Sequence, residues 1–235
     1  MTRRSLTLDN PICVPLDFAE RARVVATAGA VAPHVGMLKI GLTTFISDGR
    51  GLVEELSSLR PVFLDLKLHD IPMQVEGAMA AVAATGAAYT TVHSLGGADM
   101  VRTAVEASGE TLVLAVTILT SIDAPDLERA GITGSPEDAV LRLAAVALEG
   151  GAPGLVCSPR EVAALRDRFG RRADGGPLLV VPGIRSSDAA PDDQRRTLGA
   201  RQALEAGADV IVVGRPITAA ADPARAAAAL SQKLS

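Results

Sequence analysis

Short apolar segments rich in Val, Ile and Leu recur along the chain and alternate with segments of helical composition. The apolar segments are typical of buried strands, and eight of them can be counted. They are Ile12–Phe18, Met37–Leu42, Pro61–Leu68, Tyr89–Leu95, Leu112–Leu119, Gly154–Ser158, Leu178–Ile184 and Asp209–Gly214. Alternating strands and helices predict right-handed βα units on a parallel sheet, and the count of eight favours a closed barrel. We therefore expect an α/β fold, a single (β/α)8 TIM barrel over residues 1–235, with an open doubly wound sheet as the alternative.

The segments between the strands predict helices. The clearest are Phe18–Ala32, Gly49–Leu59, Val75–Thr85, Ala98–Ala107, Pro136–Glu149 and Pro159–Phe169. Gly-Ala steps at Gly86, Gly151 and Gly207 precede later strands and are typical of helix C-caps. No GxGxxG motif follows the first strand, so a Rossmann dinucleotide site is not supported.

Composition narrows the class of protein. Hydrophobic residues make up 48% of the 235 residues, with 2% aromatics and no Trp, so the core must be built from Ala, Val, Leu and Ile. A net charge of −4 gives no basic surface for nucleic acid, and no segment is apolar and long enough to span a membrane. Cys13 and Cys157 lie in apolar segments and lack metal-ligand spacing. We expect a cytoplasmic protein without nucleic-acid or membrane partners.

The third predicted strand carries charges where an apolar core should have none. In the sequence PVFLDLKLHDIPMQ, strand alternation places Asp65 and Lys67 on the same face, next to each other. Asp70 follows the strand, close to Pro72, and can leave the line of the other two. Buried charges are costly unless paired, so the pattern indicates either a structural ion pair or a reactive site.

Charged and polar residues at the ends of other strands favour the reactive site. Asp17 ends the first strand, Lys39 lies late in the second, and Thr120 follows the fifth. In a (β/α)8 barrel, catalytic groups gather at the C-terminal ends of the strands. Charged residues that only keep a protein soluble need not recur at equivalent positions, as Lys and Asp do here in three consecutive strands.

The segments after the last two strands predict a lid and a phosphate site. Residues 181–199 are long, polar and rich in Gly, Pro, Ser and Asp, which is typical of a mobile loop, although a surface insertion has the same composition. Gly214 and Arg215 then open a short helical turn, and Gly183 follows the seventh strand. Loops at these positions form the recurrent phosphate site of this fold. The three histidines, His34, His69 and His93, are scattered and do not predict a metal site.

The sequence resembles the orotidine 5'-phosphate decarboxylase family. DLKLHDIP matches that family's DxKxxD signature, and PLDF, LKIG, TVHSLGG, AVTILTS, VVPGIR, DDQRR and VVGRPI follow in the family's order. The resemblance covers nearly the whole chain. It implies a (β/α) barrel that acts as a homodimer without metal or organic cofactor, and that converts orotidine monophosphate to uridine monophosphate.

The resemblance also implies roles for individual residues. Lys39, Asp65, Lys67 and Asp70 would form an alternating charged network, with Lys67 as proton donor and Asp70 contributed across the dimer interface. Gln194 on the lid would bridge the pyrimidine and the phosphate. The substrate-binding set implied by the resemblance is Asp17, Lys39, Asp65, Asp70, Ile71, Gln74, Thr120, Pro182, Arg185, Gln194, Gly214 and Arg215.

One departure from the family and two alternatives remain open. Met73-Gln74 stands where many members have Asn-Thr, which puts the role of Gln74 in doubt. Sugar-phosphate decarboxylases and aldolases of the hexulose-phosphate type share DxKxxD on the same barrel, but they need a metal or different acid and base residues. A non-enzymatic barrel that binds a phosphate ligand is the third interpretation.

Overall fold

Eight parallel strands close into one barrel, which confirms the predicted fold. The structure is a computed structural model, and it describes residues 8–184 and 198–234. Each strand pairs with the next along the chain, and the last strand pairs with the first. The strands are β1 Ile12–Pro15, β2 Met37–Ile40, β3 Val62–Leu68, β4 Tyr89–His93, β5 Leu112–Val116, β6 Gly154–Val156, β7 Leu178–Val181 and β8 Val210–Val212.

Helices follow the strands and surround the barrel. They are α1 Arg21–Val31, α2 Leu42–Asp48, α3 Arg50–Ser57, α4 Pro72–Ala83, α5 Gly97–Glu106, α6 Ala124–Arg129, α7 Pro136–Glu149, α8 Val162–Phe169, α9 Ala200–Glu205, α10 Arg215–Thr218 and α11 Pro223–Leu234. Short 3₁₀ turns occupy Ala32–His34, Ser94–Gly96 and Arg172–Asp174. Within the described ranges, no helix combines the length and apolar character needed to cross a membrane.

The barrel interior is filled in layers, because alternate residues of each strand point inward. The inner apolar cluster consists of Cys13, Met37, Phe63, Tyr89, Leu112, Leu114, Leu178, Val180, Val210 and Val212. A larger apolar cluster lies between the strands and the helices, and Cys157 belongs to it. Both cysteines are therefore small core residues, as expected from the sequence.

The inward-facing position two residues beyond this apolar layer is polar in three adjacent strands. Lys39 follows Met37 in β2, and Asp65 follows Phe63 in β3. Thr91 is the equivalent residue of β4. The three strands are neighbours in the barrel, and Asp65 contacts both Lys39 and Thr91, so these side chains form a polar layer on top of the apolar one. That layer faces the C-terminal mouth of the barrel.

At the opposite end of the barrel, a buried arginine forms hydrogen bonds that link α8 to the starts of β7 and β8. The guanidinium of Arg166 in α8 lies 2.6 Å from a carboxylate oxygen of Asp209, which precedes β8. The same Asp209 oxygen accepts the Leu179 main-chain N–H at 2.7 Å. Arg166 also donates to the main-chain carbonyls of Gly170, Pro177 and Gly207. One side chain thus joins α8, β7 and β8 far from the mouth.

Candidate active site

Four charged side chains form a continuous chain of alternating sign at the barrel mouth. The Lys39 ammonium lies 3.4 Å from the Asp17 carboxylate and 3.3 Å from Asp65 Oδ2. The other Asp65 oxygen, Oδ1, accepts from the Lys67 ammonium at 2.9 Å. Asp65 is therefore held between two lysines, and the order Asp17, Lys39, Asp65, Lys67 runs across β1, β2 and β3. The structure thus brings together four of the residues predicted from the sequence.

Burial differs along this chain of charges. The side chains of Lys39 and Asp65 are only 11% and 12% exposed, whereas Lys67 is 32% and Asp17 is 47% exposed. The inner pair is thus fixed by the protein, and the two ends reach toward solvent. Lys67 is consequently the cation of the network that is most accessible to a ligand entering the mouth.

A bulge in β3 places Lys67. The β3–β4 register jumps from Leu64 opposite Thr90 to Leu68 opposite Val92, so β3 advances four residues while β4 advances two. Within this bulge Lys67 has a φ of 52°, the only positive φ of a non-glycine residue in the described part of the chain. A non-glycine residue in that region costs on the order of 1 kcal/mol, and such strain clusters at functional sites. The bulge turns the end of β3, and the Lys67 ammonium lies against the Asp65 carboxylate.

Electrostatics keep the buried pair charged. Burial alone would raise the pKa of Asp65, but the ammonium groups of Lys39 and Lys67, with hydrogen bonds from Lys67 and Thr91, outweigh it and lower that pKa. Burial would likewise lower the pKa of Lys39, but Asp65 and Asp17 raise it above its usual value. Asp65 therefore stays a carboxylate, and Lys39 stays an ammonium, at every pH near neutral.

Asp70 lies apart from the network within one chain. Its carboxylate accepts the Ile71 main-chain N–H at 2.7 Å, and it forms no ion pair with any other residue that the structure describes. Asp70, Ile71 and Gln74 are all exposed, at the start of α4 beside the mouth. The sequence-based expectation that Asp70 leaves the line of Asp65 and Lys67 is confirmed.

The ends of β7 and β8 form the side of the mouth predicted to bind phosphate. Pro182 is half-buried and precedes Gly183, whose φ of 83° favours glycine. Gly214 is the N-cap of α10, and a Cβ added there would lie 3.3 Å from the Pro15 side chain. Arg215 begins α10 and is exposed. Arg185 and Gln194, with most of the predicted lid, lie outside the described residues.

Thr120 and two histidines complete the surroundings of the mouth. Thr120 is half-buried, four residues beyond the end of β5. The rings of His69 and His93 stack with their centroids 5.4 Å apart. The sequence analysis treated the histidines as scattered, and it gave no sign of this contact because the contact depends on how β3 ends.

The comparison with known families agrees with this geometry. The sequence model described as "Orotidine 5'-phosphate decarboxylase / HUMPS family" matches residues 10–230, which is nearly the whole chain. The chain belongs to this family. The family membership that the sequence resemblance implied is thus confirmed.

Individual relatives within the family are similar along their full length. The orotidine 5'-phosphate decarboxylase of Anaeromyxobacter dehalogenans is 55% identical over 225 residues, covering 95% of this chain and 97% of that protein. The protein of the same name from Thermobifida fusca is 50% identical and covers 95% of both chains. Among solved structures, the orotidine 5'-phosphate decarboxylase of Lactobacillus acidophilus superposes with a TM-score of 0.84 at 34% identity, covering 96% and 99% of the two chains.

Proposed function

We propose that this chain decarboxylates orotidine 5'-monophosphate to uridine 5'-monophosphate, the last step of pyrimidine nucleotide synthesis, in the cytoplasm. The observation that carries the proposal is the Lys67 ammonium, held 2.9 Å from Asp65 at the mouth of a barrel of this family. Relatives that carry the name of this activity are similar over their whole length. The family description also covers HUMPS proteins, so the choice of substrate follows from these relatives.

The chemistry needs a fixed positive charge beside a carbon. When the bond between the ring carbon and the carboxylate breaks, its electron pair stays on the ring carbon and carbon dioxide leaves. No neighbouring carbonyl delocalises this pair, so a charge already in place must stabilise it. Lys67 then gives one proton to the ring carbon, which forms the new C–H bond of the product and leaves a neutral amine. Asp65 and Lys39 hold Lys67 in place while this happens.

The other side of the mouth supports binding of the substrate phosphate. Arg215 begins α10 directly after β8, and Gly214 lets the main chain run close to Pro15. A guanidinium can donate two parallel hydrogen bonds to phosphate oxygens. We assign Arg215, together with Arg185 and the N–H groups of Gly214 and its neighbours, to the phosphate. Gln194 is assigned to the lid contact, while Pro182 and Thr120 line the nucleotide.

The working unit we propose is a homodimer in which Asp70 is supplied to the partner's site. Support comes from exposed apolar side chains that follow three neighbouring strands. Leu42 begins α2, Ile71 and Met73 flank the start of α4, and Leu95 follows β4, with exposed fractions of 48% or more. A second copy of the chain on this side would cover the apolar residues and bring a carboxylate to Lys67. Asp17 and Lys39 would bind the ribose, with Ile71 and Gln74 of the partner closing the pocket.

The direct test of the proposed function is turnover of the nucleotide. Purified protein should remove the absorbance of orotidine monophosphate and release uridine monophosphate and carbon dioxide at an unchanged rate in excess EDTA. A parallel reaction with a hexulose phosphate and Mg²⁺ should give no product. Turnover of the sugar phosphate alone would move the chain to the hexulose-phosphate type, and tight nucleotide binding without product would indicate a binding protein.

A further inference from the structure

Thr91 of β4 contacts both the main chain of Lys67 and the Asp65 carboxylate that pairs with the Lys67 ammonium. Its side-chain oxygen accepts the main-chain N–H of Lys67 at 2.8 Å and donates to Asp65 Oδ1 at 2.9 Å. Thr91 is fully buried, so neither hydrogen bond has water as a ready substitute. One hydroxyl therefore holds the backbone of Lys67 and the carboxylate that pairs with its ammonium.

The bulge explains why a hydroxyl is needed at this point. Between Leu64 and Leu68 the regular β3–β4 ladder is interrupted, and the Lys67 N–H donates to the Thr91 hydroxyl where a regular ladder would use a carbonyl. A buried N–H without a partner costs about 1–3 kcal/mol, and Lys67 also carries the cost of its positive φ. The Thr91 hydroxyl replaces the missing ladder bond and stabilises a backbone conformation that would otherwise relax.

The hydrogen bond from Thr91 to Asp65 also fixes the orientation of the Asp65 carboxylate. Asp65 Oδ1 receives both the Lys67 ammonium and the Thr91 hydroxyl, each at 2.9 Å, while Oδ2 faces Lys39. With two donors on Oδ1, rotation of the carboxylate is restricted. The position of the Lys67 ammonium is thereby set at both ends of its side chain, at the backbone and at the charged group.

We propose that Thr91 is a positioning residue for the decarboxylation, acting through Lys67 and Asp65 without contacting the substrate. This inference rests on the proposed function, since it concerns the placement of the group that delivers the proton. A displacement of about 1 Å at a reacting group can reduce a rate roughly 100-fold. Loss of the hydroxyl therefore lowers kcat by a larger factor than it lowers the affinity for the product. The fall in kcat is also larger than the loss of stability would explain.

The neighbouring Thr90 provides a matched control. It lies on the same strand, is equally buried, and its hydroxyl donates to the Leu64 main-chain carbonyl at 2.9 Å. Its side chain points to the opposite face of β4 and does not contact the charged network. Thr90→Val and Thr91→Val thus remove the same group, with nearly the same change in volume, one residue apart.

The test compares Thr91→Val, Thr91→Ser and Thr90→Val with the unaltered protein. We expect kcat for orotidine monophosphate to fall on the order of 10- to 100-fold in Thr91→Val, with uridine monophosphate affinity within about threefold. Thr91→Ser, which keeps the hydroxyl, should recover most of kcat. Thr90→Val should leave kcat unchanged even where its melting temperature falls. Equal kcat in Thr91→Val and Thr90→Val would overturn the proposal.

Hydrogen exchange of the Lys67 main-chain N–H gives a readout independent of activity. This N–H should exchange slowly in the unaltered protein and in Thr91→Ser, and at least tenfold faster in Thr91→Val. Exchange that does not change in Thr91→Val would contradict the proposal whatever the substrate. An unaltered protein that lacks turnover but shows the expected exchange pattern would contradict the proposed function and leave the role of Thr91 intact.

Discussion

His93 ends β4 at the mouth of the barrel and lies beside His69. Its Nδ1 accepts the Leu95 main-chain N–H at 3.4 Å, and its ring stacks on His69. Burial, followed by the nearby His69 and Lys67, lowers the pKa of His93. A neutral imidazole adds no further positive charge beside Lys67, so the lysine remains the dominant cation on this side of the site.

The lowered pKa predicts a specific pH dependence. Histidine titration by NMR should place His93 below the ordinary value of about 6.5. Since the folded state favours the neutral ring, His93 contributes stability that is present above that value and is lost as the pH falls through its folded pKa. In His93→Asn this part of the pH dependence of the unfolding free energy should disappear. A His93 that titrates at or above 6.5 would contradict the explanation.

Residue-level expectations from the sequence succeeded where strand alternation decided the outcome. The contact of Asp65 with Lys39 is present, but it was implied by the family resemblance and not by alternation. Alternation predicted the contact of Lys67 with Asp65, which the structure shows. The route to that contact was not predictable, because alternation assumes regular pairing and β3 contains a bulge. For the same reason Thr91 went unnoticed. A threonine in a strand is an ordinary residue until the missing ladder bond beside it is known.

At the level of elements, the order of strands and helices was predictable and their ends were not. All eight strands exist, but most stop two or more residues before the apolar segment does, because the polar mouth begins there. α7 has the predicted bounds, since Ser135 and Asp138 form a capping box at its start. α2 was missed. Its sequence LTTFISD is rich in β-branched residues with weak helix propensity, and Thr44 anchors it by accepting the Phe18 N–H.

The Arg166 contacts predict that stability and activity can be separated between the two ends of the barrel. Arg166→Ala leaves the largely buried Asp209 carboxylate without its cation, so we expect a loss of about 3 kcal/mol in the unfolding free energy. Urea unfolding measures this loss, and kcat of the folded variant should stay close to that of the unaltered protein. Arg102→Ala, which breaks the exposed pair with Asp99, should cost less than about 1 kcal/mol. Equal losses in the two variants would show that the Arg166 contacts do not hold the barrel together.

At the scale of the whole molecule, the charged network lies beside an exposed, partly apolar surface at the start of α4. The network ends at Lys67, while Asp70 and the apolar Ile71 and Met73 face outward beside it. The sequence alone could indicate that Asp70 departs from β3, and in the proposed homodimer its carboxylate would enter the partner's site. Assembly across this side is therefore part of the proposed mechanism, with Lys67 and Asp70 of different protomers acting on one substrate.

The most direct test of the account is the turnover of orotidine monophosphate by hybrid dimers. Lys67→Ala and Asp70→Asn homodimers should each lose roughly 10⁴-fold or more in kcat while keeping their fold, since each lacks a charge that acts at the reacting carbon. Co-expression of the two variants with different affinity tags allows the hybrid to be isolated. One of its two sites contains both native residues, so we predict about half of the unaltered turnover. An inactive hybrid would place Asp70 in its own chain's site, and near-normal turnover of the Lys67→Ala homodimer would contradict the central role of Lys67.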